Sequence, residues 1–313
     1  MSHISAISNQ QSAISNQQSA ISNQQISAAQ QEARRRSRQL AAKRVAGQAY
    51  LWLLLVVLYA PILLIFIFSF TQSKIIGNWT GFTFHLYENL FTGYDSTTHV
   101  RVDPNLYRAV GFTAVIAVAA ATIATLLGTL AAIGLFNMRS RARKGITFLN
   151  SIPMINPDIL TGISLFLLFV FLNISRGFVT VLIAHVVFCT PYVVLSVMPR
   201  LMQMNPNLYE AALDLGATPA QALRKVLLPE LKPGMISGFI LALTLSIDDF
   251  GVTFFTKGSN GLETLSTFIY ADARKGGLTP ELRPLFSLIF LTILVLLIIM
   301  NIRTNKQQNK LQK

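Results

Sequence analysis

The stretch EAALDLGATPAQALRKVLLP, residues 210–229, could belong to a small soluble protein, yet it lies between apolar runs at 178–199 and 231–256. Each run is long enough to cross a bilayer, which takes about 20 residues. Within and just before the stretch, the helix signals are ordered. Asn205 can cap a helix and Pro206 suits its first turn; Gly216 then stops it, and Thr218-Pro219 opens another that runs through Ala222, Leu223 and Val226 to Pro229. Leu208, Ala211, Ala212 and Leu215 follow the spacing i, i+3, i+4, i+7, which gives a small-residued apolar face, with Tyr209, Glu210 and Asp214 on other faces. A helix lying on a lipid surface would favour Lys and Arg on its polar face. This one carries acids, so a basic protein pocket is the expected partner.

The surrounding composition explains why such a loop stands out. The 313 residues are 52% hydrophobic and 12% charged, a balance of a membrane protein and not of a soluble domain. The net charge of +13 could suggest nucleic acid, but the basic residues form short blocks beside apolar runs, the pattern of lipid topology. The single cysteine, Cys189, excludes an intrachain disulfide.

Membrane-length runs occur near 49–70, 107–136, 146–173, 178–199, 231–256 and 284–302. They are continuous and not alternating, so helices and not barrel strands satisfy their backbones in lipid. The expectation is an all-α integral membrane protein with six transmembrane helices. Basic residues fix its orientation. Arg34, Arg35, Arg36, Arg38, Lys43 and Arg44 precede the first run; Arg139, Arg141, Arg143 and Lys144 follow the second. Arg200, Arg224, Lys225 and Lys232 follow the fourth, and Arg303, Lys306, Lys310 and Lys313 end the chain. These lie on one face, leaving eight basic residues, Lys74 among them, on the other. Both termini and the 205–229 loop are therefore expected in the cytoplasm.

The expected domain order is a disordered segment at 1–31, a basic cytoplasmic segment at 32–48, a transmembrane domain at 49–302 and a basic cytoplasmic tail at 303–313. The first segment repeats SAISNQQ at 5–11, 12–18 and 19–25. Ala-Ile side by side supplies no coiled-coil seam, so the repeat carries no functional argument. Outside, two connections exceed what helix joining requires, 71–106 and 257–283. The first holds NWTGFTFHLYENLF, residues 78–91, either an interfacial aromatic anchor or a docking surface for an external partner.

No phosphate-binding G-x4-G-K-[ST] loop, zinc-type His/Cys cluster or nucleophile elbow is present, so no catalytic or metal residue is assigned and energy must come from another chain. His185, in an apolar span, reads as a hydrogen-bonded packing residue. Three acids do fall within apolar runs, Asp158, Asp248 and Asp249. Each costs about 2.5–3.5 kcal/mol to place near a helix centre, which marks them as candidate substrate-pathway residues. With no Lys or Arg in an apolar core to neutralise them, they suit cationic cargo, a base on a partner subunit, or protonation. Asp158 follows Pro153 and Pro157, which interrupt the helical ladder at mid-depth, as in the broken helices of transporter sites. Ser237, Thr244, Asp248 and Gly251 fall on one stripe of a continuous helix, with Asp249 about 100° away. Asp248 is the expected pathway residue; Gly234 and Gly238 form a close-packing pair.

The 210–229 stretch resembles the E-A-A-x3-G-x9-I-x-L-P signature of permease subunits in binding-protein-dependent ABC importers, with Glu210-Ala211-Ala212, Gly216, Val226 in place of Ile, Leu228 and Pro229. The segments NWTGFTFHLYENLF, NPDILTGISLFLLF, AHVVFCTPYVVLSV and SIDDFGVTFFTKGSNGLETLSTFIY further resemble the spermidine/putrescine-type permeases, from residue 49 to 302. The resemblance implies a type I ABC importer permease bundle in the cell membrane that imports polyamines by alternating access. It also implies that Glu210, Ala211, Ala212, Gly216 and Pro229 couple to a separate ATPase dimer, which binds ATP and magnesium. A second related permease and an extracytoplasmic binding protein complete the implied assembly, with no nucleic acid and no cofactor in this chain. Permeases for sulfate, ferric ion and thiamine share the coupling motif, and a gradient-driven secondary transporter is the more distant alternative.

Overall fold

The computed structural model describes residues 43–73, 77–95, 100–205, 207–259 and 262–311. The expected disordered repeat at 1–31, most of the basic segment at 32–48, and the positions of Lys74 and Pro206 lie outside the described residues. The rest is helical, in the order α1 (Lys43–Phe68), α2 (His85–Thr92), α3 (Pro104–Phe136), α4 (Ser140–Ile155), α5 (Asp158–Phe171), α6 (Phe178–Gln203), α7 (Leu208–Asp214), α8 (Pro219–Ala222), α9 (Leu228–Asp248), α10 (Gly251–Thr256), α11 (Leu265–Arg274) and α12 (Leu282–Leu311). Among the described residues the only β pairing is an isolated antiparallel bridge between Tyr94 and Arg101.

All six apolar runs are helical, and two are interrupted. Helices α1, α3, α6 and the continuous Pro219–Asp248 are long and apolar enough to cross a membrane singly; α4 and α5 together make a fifth crossing bent by 104°. In the sixth, α12, the apolar part is the shorter Leu282–Val295. The basic tail expected from residue 303 stays helical to Leu311.

The described residues form two compact units, one of Thr71–Leu285 and one of residues 43–70 and 286–311. In the larger unit, α6 packs against both α3 and α9. In lipid there is little hydrophobic gain from bringing apolar helices together, so small residues that allow close approach decide the packing. Helix α3 supplies them at helical spacing, burying Thr113, Ala117, Ala121, Ala124, Gly128 and Ala132. A methyl on Gly128 would fall 2.7 Å from Val193 Cβ on α6, and one on Gly238 of α9 would fall 3.1 Å from Val193 Cγ1. Val193 is thus held between two glycines, and Gly234 likewise leaves room for Ser196 and Arg200. The Gly234–Gly238 pair is a packing face.

Two differences from the sequence expectation position the functional region. Helix α8 does not end at Pro229. It passes through a π turn, Leu223–Leu227, into α9, where the Leu228 N–H reaches back five residues to the Leu223 carbonyl. Pro229 has no N–H to give to the carbonyl of Lys225, and the ladder changes spacing just ahead of it. The loop helix and the fifth span are consequently one 30-residue helix, about 45 Å long. The second difference is that this span does not run on to residue 256. It breaks at Asp249, which is extended (φ −64°, ψ 127°), so Gly251 begins a new helix and leaves the stripe of Ser237, Thr244 and Asp248.

Candidate functional site

The 205–229 loop is built from local bonds. The Asn205 side chain accepts the Asn207 N–H at 3.0 Å, and Asn207 precedes α7. At the far end Gly216 has φ +84°, the left-handed region that L side chains avoid. There the Gly216 N–H bonds the Leu213 carbonyl at 2.9 Å and the Ala217 N–H bonds the Ala212 carbonyl at 3.1 Å, the paired bonds that close a helix with a glycine. Thr218 then opens α8 with a reciprocal box, its hydroxyl accepting from the Gln221 N–H while the Gln221 side chain accepts from the Thr218 N–H.

The apolar face expected on α7 is divided by the tertiary structure. Ala212 turns inward and is buried, whereas Glu210, Ala211 and Leu215 are exposed, Leu215 at 89%. Four apolar residues on one stripe cannot all serve an outside partner, because α7 must also rest on its own bundle. Behind it lies a cavity of about 550 Å³, walled by Phe136 of α3, Leu201 of α6, Tyr209 and Glu210 of α7, and Leu223 and Leu227 of the π turn. Pro229 is exposed at the second position of α9.

The other candidate region is the meeting of the two broken spans. The third span breaks at Asn156-Pro157, where Pro157 precedes α5 and Asp158 is its first residue; Pro153 remains inside α4. Helix α5 packs directly on α10. A methyl on Gly162 would lie 2.7 Å from the Gly251 carbonyl oxygen, and one on Gly251 would lie 3.2 Å from the carbonyl carbon of Asp158. Backbone meets backbone there, and the three aspartates gather around the junction. Asp158 lies within electrostatic reach of Asp249 and Asp248.

Their environments separate them. Asp158 and Asp248 are exposed within the chain; Asp249 is buried. The Asp249 carboxylate accepts the N–H groups of Val252 at 3.1 Å and Thr253 at 2.9 Å, and the Thr253 hydroxyl at 2.9 Å. It therefore caps α10, satisfying donors that the break would orphan in lipid. Its backbone carbonyl accepts the Ser266 hydroxyl at 2.6 Å. Buried His185 completes the lock across the break, with Nδ1 2.7 Å from Ser246 Oγ and Nε2 2.8 Å from Thr253 Oγ1, and with Nε2 3.4 Å from Asp249 Oδ2. The Thr253 proton points to Asp249, so His185 Nε2 carries the hydrogen donated to Thr253. In the neutral ring Nδ1 then accepts from Ser246. Asp249→Ala is expected to cost about 3 kcal/mol, because it leaves these donors buried and unmatched. A clear fall in the apparent Tm of the purified protein, beside an unchanged Tm for Asp248→Asn, is the measurement that checks it.

Among the described residues, no Lys or Arg makes an ion pair with any of the three aspartates. One nearby aromatic was not singled out from the sequence. Tyr192 of α6, within electrostatic reach of Asp158, stacks edge-on with Phe188 at 5.7 Å. The AHVVFCTPYVVLSV segment contained it, but only folding brings α6 beside the start of α5. Carboxylates with an aromatic face suit a desolvated cation. Helix α2 places Leu86 and Leu90 inward and leaves Phe91 exposed, as are Trp79, Phe82 and Phe84 just before it.

Comparison with known proteins shows the family. A family model described as binding-protein-dependent transport system inner membrane component matches residues 124–310. The chain is 39% identical over 239 residues to the putrescine transport system permease protein PotI of Escherichia coli K12, covering 74% of this chain and 81% of that protein. It is 34% identical over 261 residues to the spermidine/putrescine transport system permease protein PotC of Haemophilus influenzae, covering 83% and 97%. A crystal structure of a bacterial ABC transporter involved in the import of the acidic polysaccharide alginate shares the fold, with a TM-score of 0.60 at 16% identity over 83% of this chain and 95% of that one. This chain belongs to the family of inner membrane components of binding-protein-dependent transport systems, and is a multi-pass protein of the cytoplasmic membrane.

Proposed function

We propose that this chain is the transmembrane permease subunit of an ATP-driven importer of polyamines of the spermidine and putrescine class. The observation that carries the cargo is the junction of the broken spans, where exposed Asp158 and Asp248 lie without a basic partner among the described residues. An anion importer would have to hold its cargo against that charge. The names of the similar permeases support the same class. The chain is a transport subunit and not an enzyme.

The partners follow from the two ends of the lever. The exposed edge of α7, with Glu210, Ala211 and Gly216, takes a separate ATPase, a dimer that binds ATP and magnesium. A second, related permease completes the pathway, and an extracytoplasmic binding protein delivers cargo to the outer loops, where the aromatic rim of α2 offers a contact surface. Both termini face the cytoplasm. Closure of the ATPases displaces α7 and α8; because α8 and α9 are one helix, the displacement arrives at Asp248 without an intervening joint. Hydrolysis reverses it. Asp158 and Asp248 make weak, reversible contacts with the passing ammonium groups, and Asp249 holds the break in shape.

Reconstitution with the ATPase, the second permease and the binding protein tests the reading. ATP-dependent uptake of putrescine or spermidine is expected, with sulfate, ferric ion and thiamine excluded. Asp248→Asn should lower polyamine uptake about tenfold, the loss of one charge-assisted contact of about 1.4 kcal/mol. Unchanged kinetics would remove Asp248 from the pathway, and uptake of sulfate in place of polyamine would overturn the cargo.

A further inference from the structure

At the Pro104 end of α3 the chain holds a second acidic pocket. Helix α3 has 33 residues, so this end is about 50 Å from Phe136, which borders the coupling-loop cavity. A cavity of about 210 Å³ lies between the turn before α3 and the turn before α12, lined by Asp95, Arg101, Asp103, Thr279 and Glu281 among others. Both turns are fixed. The first is held by the Val102 N–H to the Gly93 carbonyl at 3.0 Å and by Asp103, which accepts the Asn105 N–H at 2.9 Å. The second is held by Asp272, which takes both the N–H and the hydroxyl of Thr279 at 2.7 Å.

Glu281 is the unusual group. Only 8% of it is exposed, yet among the described residues its carboxylate has no hydrogen bond and no ion pair. Tyr107 and Arg283 lie within electrostatic reach; Arg283 gives its Nη1 to the Ser73 carbonyl at 2.7 Å. Asp95 has His85 Nε2 at 3.6 Å, and Arg101 leans over the Tyr94 ring at 5.5 Å. Its oxygens are not sealed from solvent, so the cavity beside it is where donors can reach a carboxylate that no described protein group pairs.

The chemistry of those donors is constrained. The lining carboxylates outnumber the lining guanidinium by two. Among the described residues no group of three acidic, His or Cys side chains converges closely enough to hold a metal ion, so the negative charge is spread more widely than one coordination sphere. A linear diammonium matches both features, since each end brings three N–H donors and the charges are separated by an alkyl chain that suits Val100, Val102 and Pro280.

We propose that this pocket is a receiving site at the outer mouth, where a diammonium cargo released by the binding protein is first held by Glu281 and Asp103. The proposal rests on the polyamine reading above. Its test is titration of the assembled transporter in nanodiscs, without binding protein, with 1,4-diaminobutane and with butylamine. Measurements in an Asp158→Asn, Asp248→Asn background set aside binding at the membrane junction. Diaminobutane is expected to bind at least tenfold more tightly than butylamine, and Glu281→Gln is expected to weaken it about tenfold and to raise the KM of ATP-driven uptake. Asp103→Asn, which keeps the cap of α3 while removing the charge, should act in the same direction and guards against a folding defect in the first variant. Equal affinity in wild type and both variants would overturn the site. So would a loss confined to docking of labelled binding protein, which would make Glu281 a protein contact. Failure of the wild-type assembly to import diaminobutane would instead sink the polyamine reading itself.

Discussion

Gly216→Pro is expected to abolish ATP-driven uptake while leaving the protein in the membrane. The glycine has φ +84°, and proline is fixed near −65°, so the turn between α7 and α8 cannot form. Proline also lacks the N–H that bonds the Leu213 carbonyl. Nothing lies within 4 Å of a methyl placed there, so the effect is conformational and not steric. Gly216→Ala should therefore act more weakly, through a left-handed penalty of about 1–2 kcal/mol, giving reduced but measurable uptake. Co-purification of the ATPase with the tagged permease, beside uptake and membrane content, reads the outcome. Uptake at the wild-type level in Gly216→Pro would show that this turn is not the coupling element.

Gly162→Ala is expected to damage the protein more deeply, by separating the two broken spans. The added methyl would lie 2.7 Å from the Gly251 carbonyl oxygen and 3.1 Å from the Val252 Cα. Both are backbone atoms, which cannot turn aside as a side chain can. Overpacking at such a point costs about 3 kcal/mol, and it displaces α10 with its Asp249 cap. A large fall in apparent Tm and in the yield of folded protein should result. Gly134→Ala is the control, since a methyl there meets nothing within 4 Å, and it should be neutral or slightly stabilising. Equal stability of the two variants would mean that α5 and α10 do not meet closely.

Much of this was legible in the sequence because the signals are local. Apolar run length marks a helix in lipid, and each of the six runs is helical. Gly216 and Thr218-Pro219 predicted a stop and a start that hydrogen bonds within a few residues then supply. Pro157 predicted an interruption beside Asp158, and the bend falls there. The break at Asp249 carried no such signal. Ser-Ile-Asp-Asp-Phe-Gly is compatible with a continuous helix, and what favours the break is a set of distant partners, His185 from α6 and Ser266 from α11. Pro229, conversely, read as a boundary, yet packing carries the helix past it through a π turn.

The sequence by itself determined that the chain is a membrane-embedded helical protein with a soluble-style loop, because hydropathy, glycine and proline act within one helix. Which faces point where was decided only by the tertiary structure. Ala212 is buried and Leu215 exposed on what looked like one stripe, and Asp249 is a cap while its neighbour Asp248 is open. In lipid, where apolar contact alone distinguishes little, close approach at Gly128, Gly162, Gly238 and Gly251 sets how the spans pack.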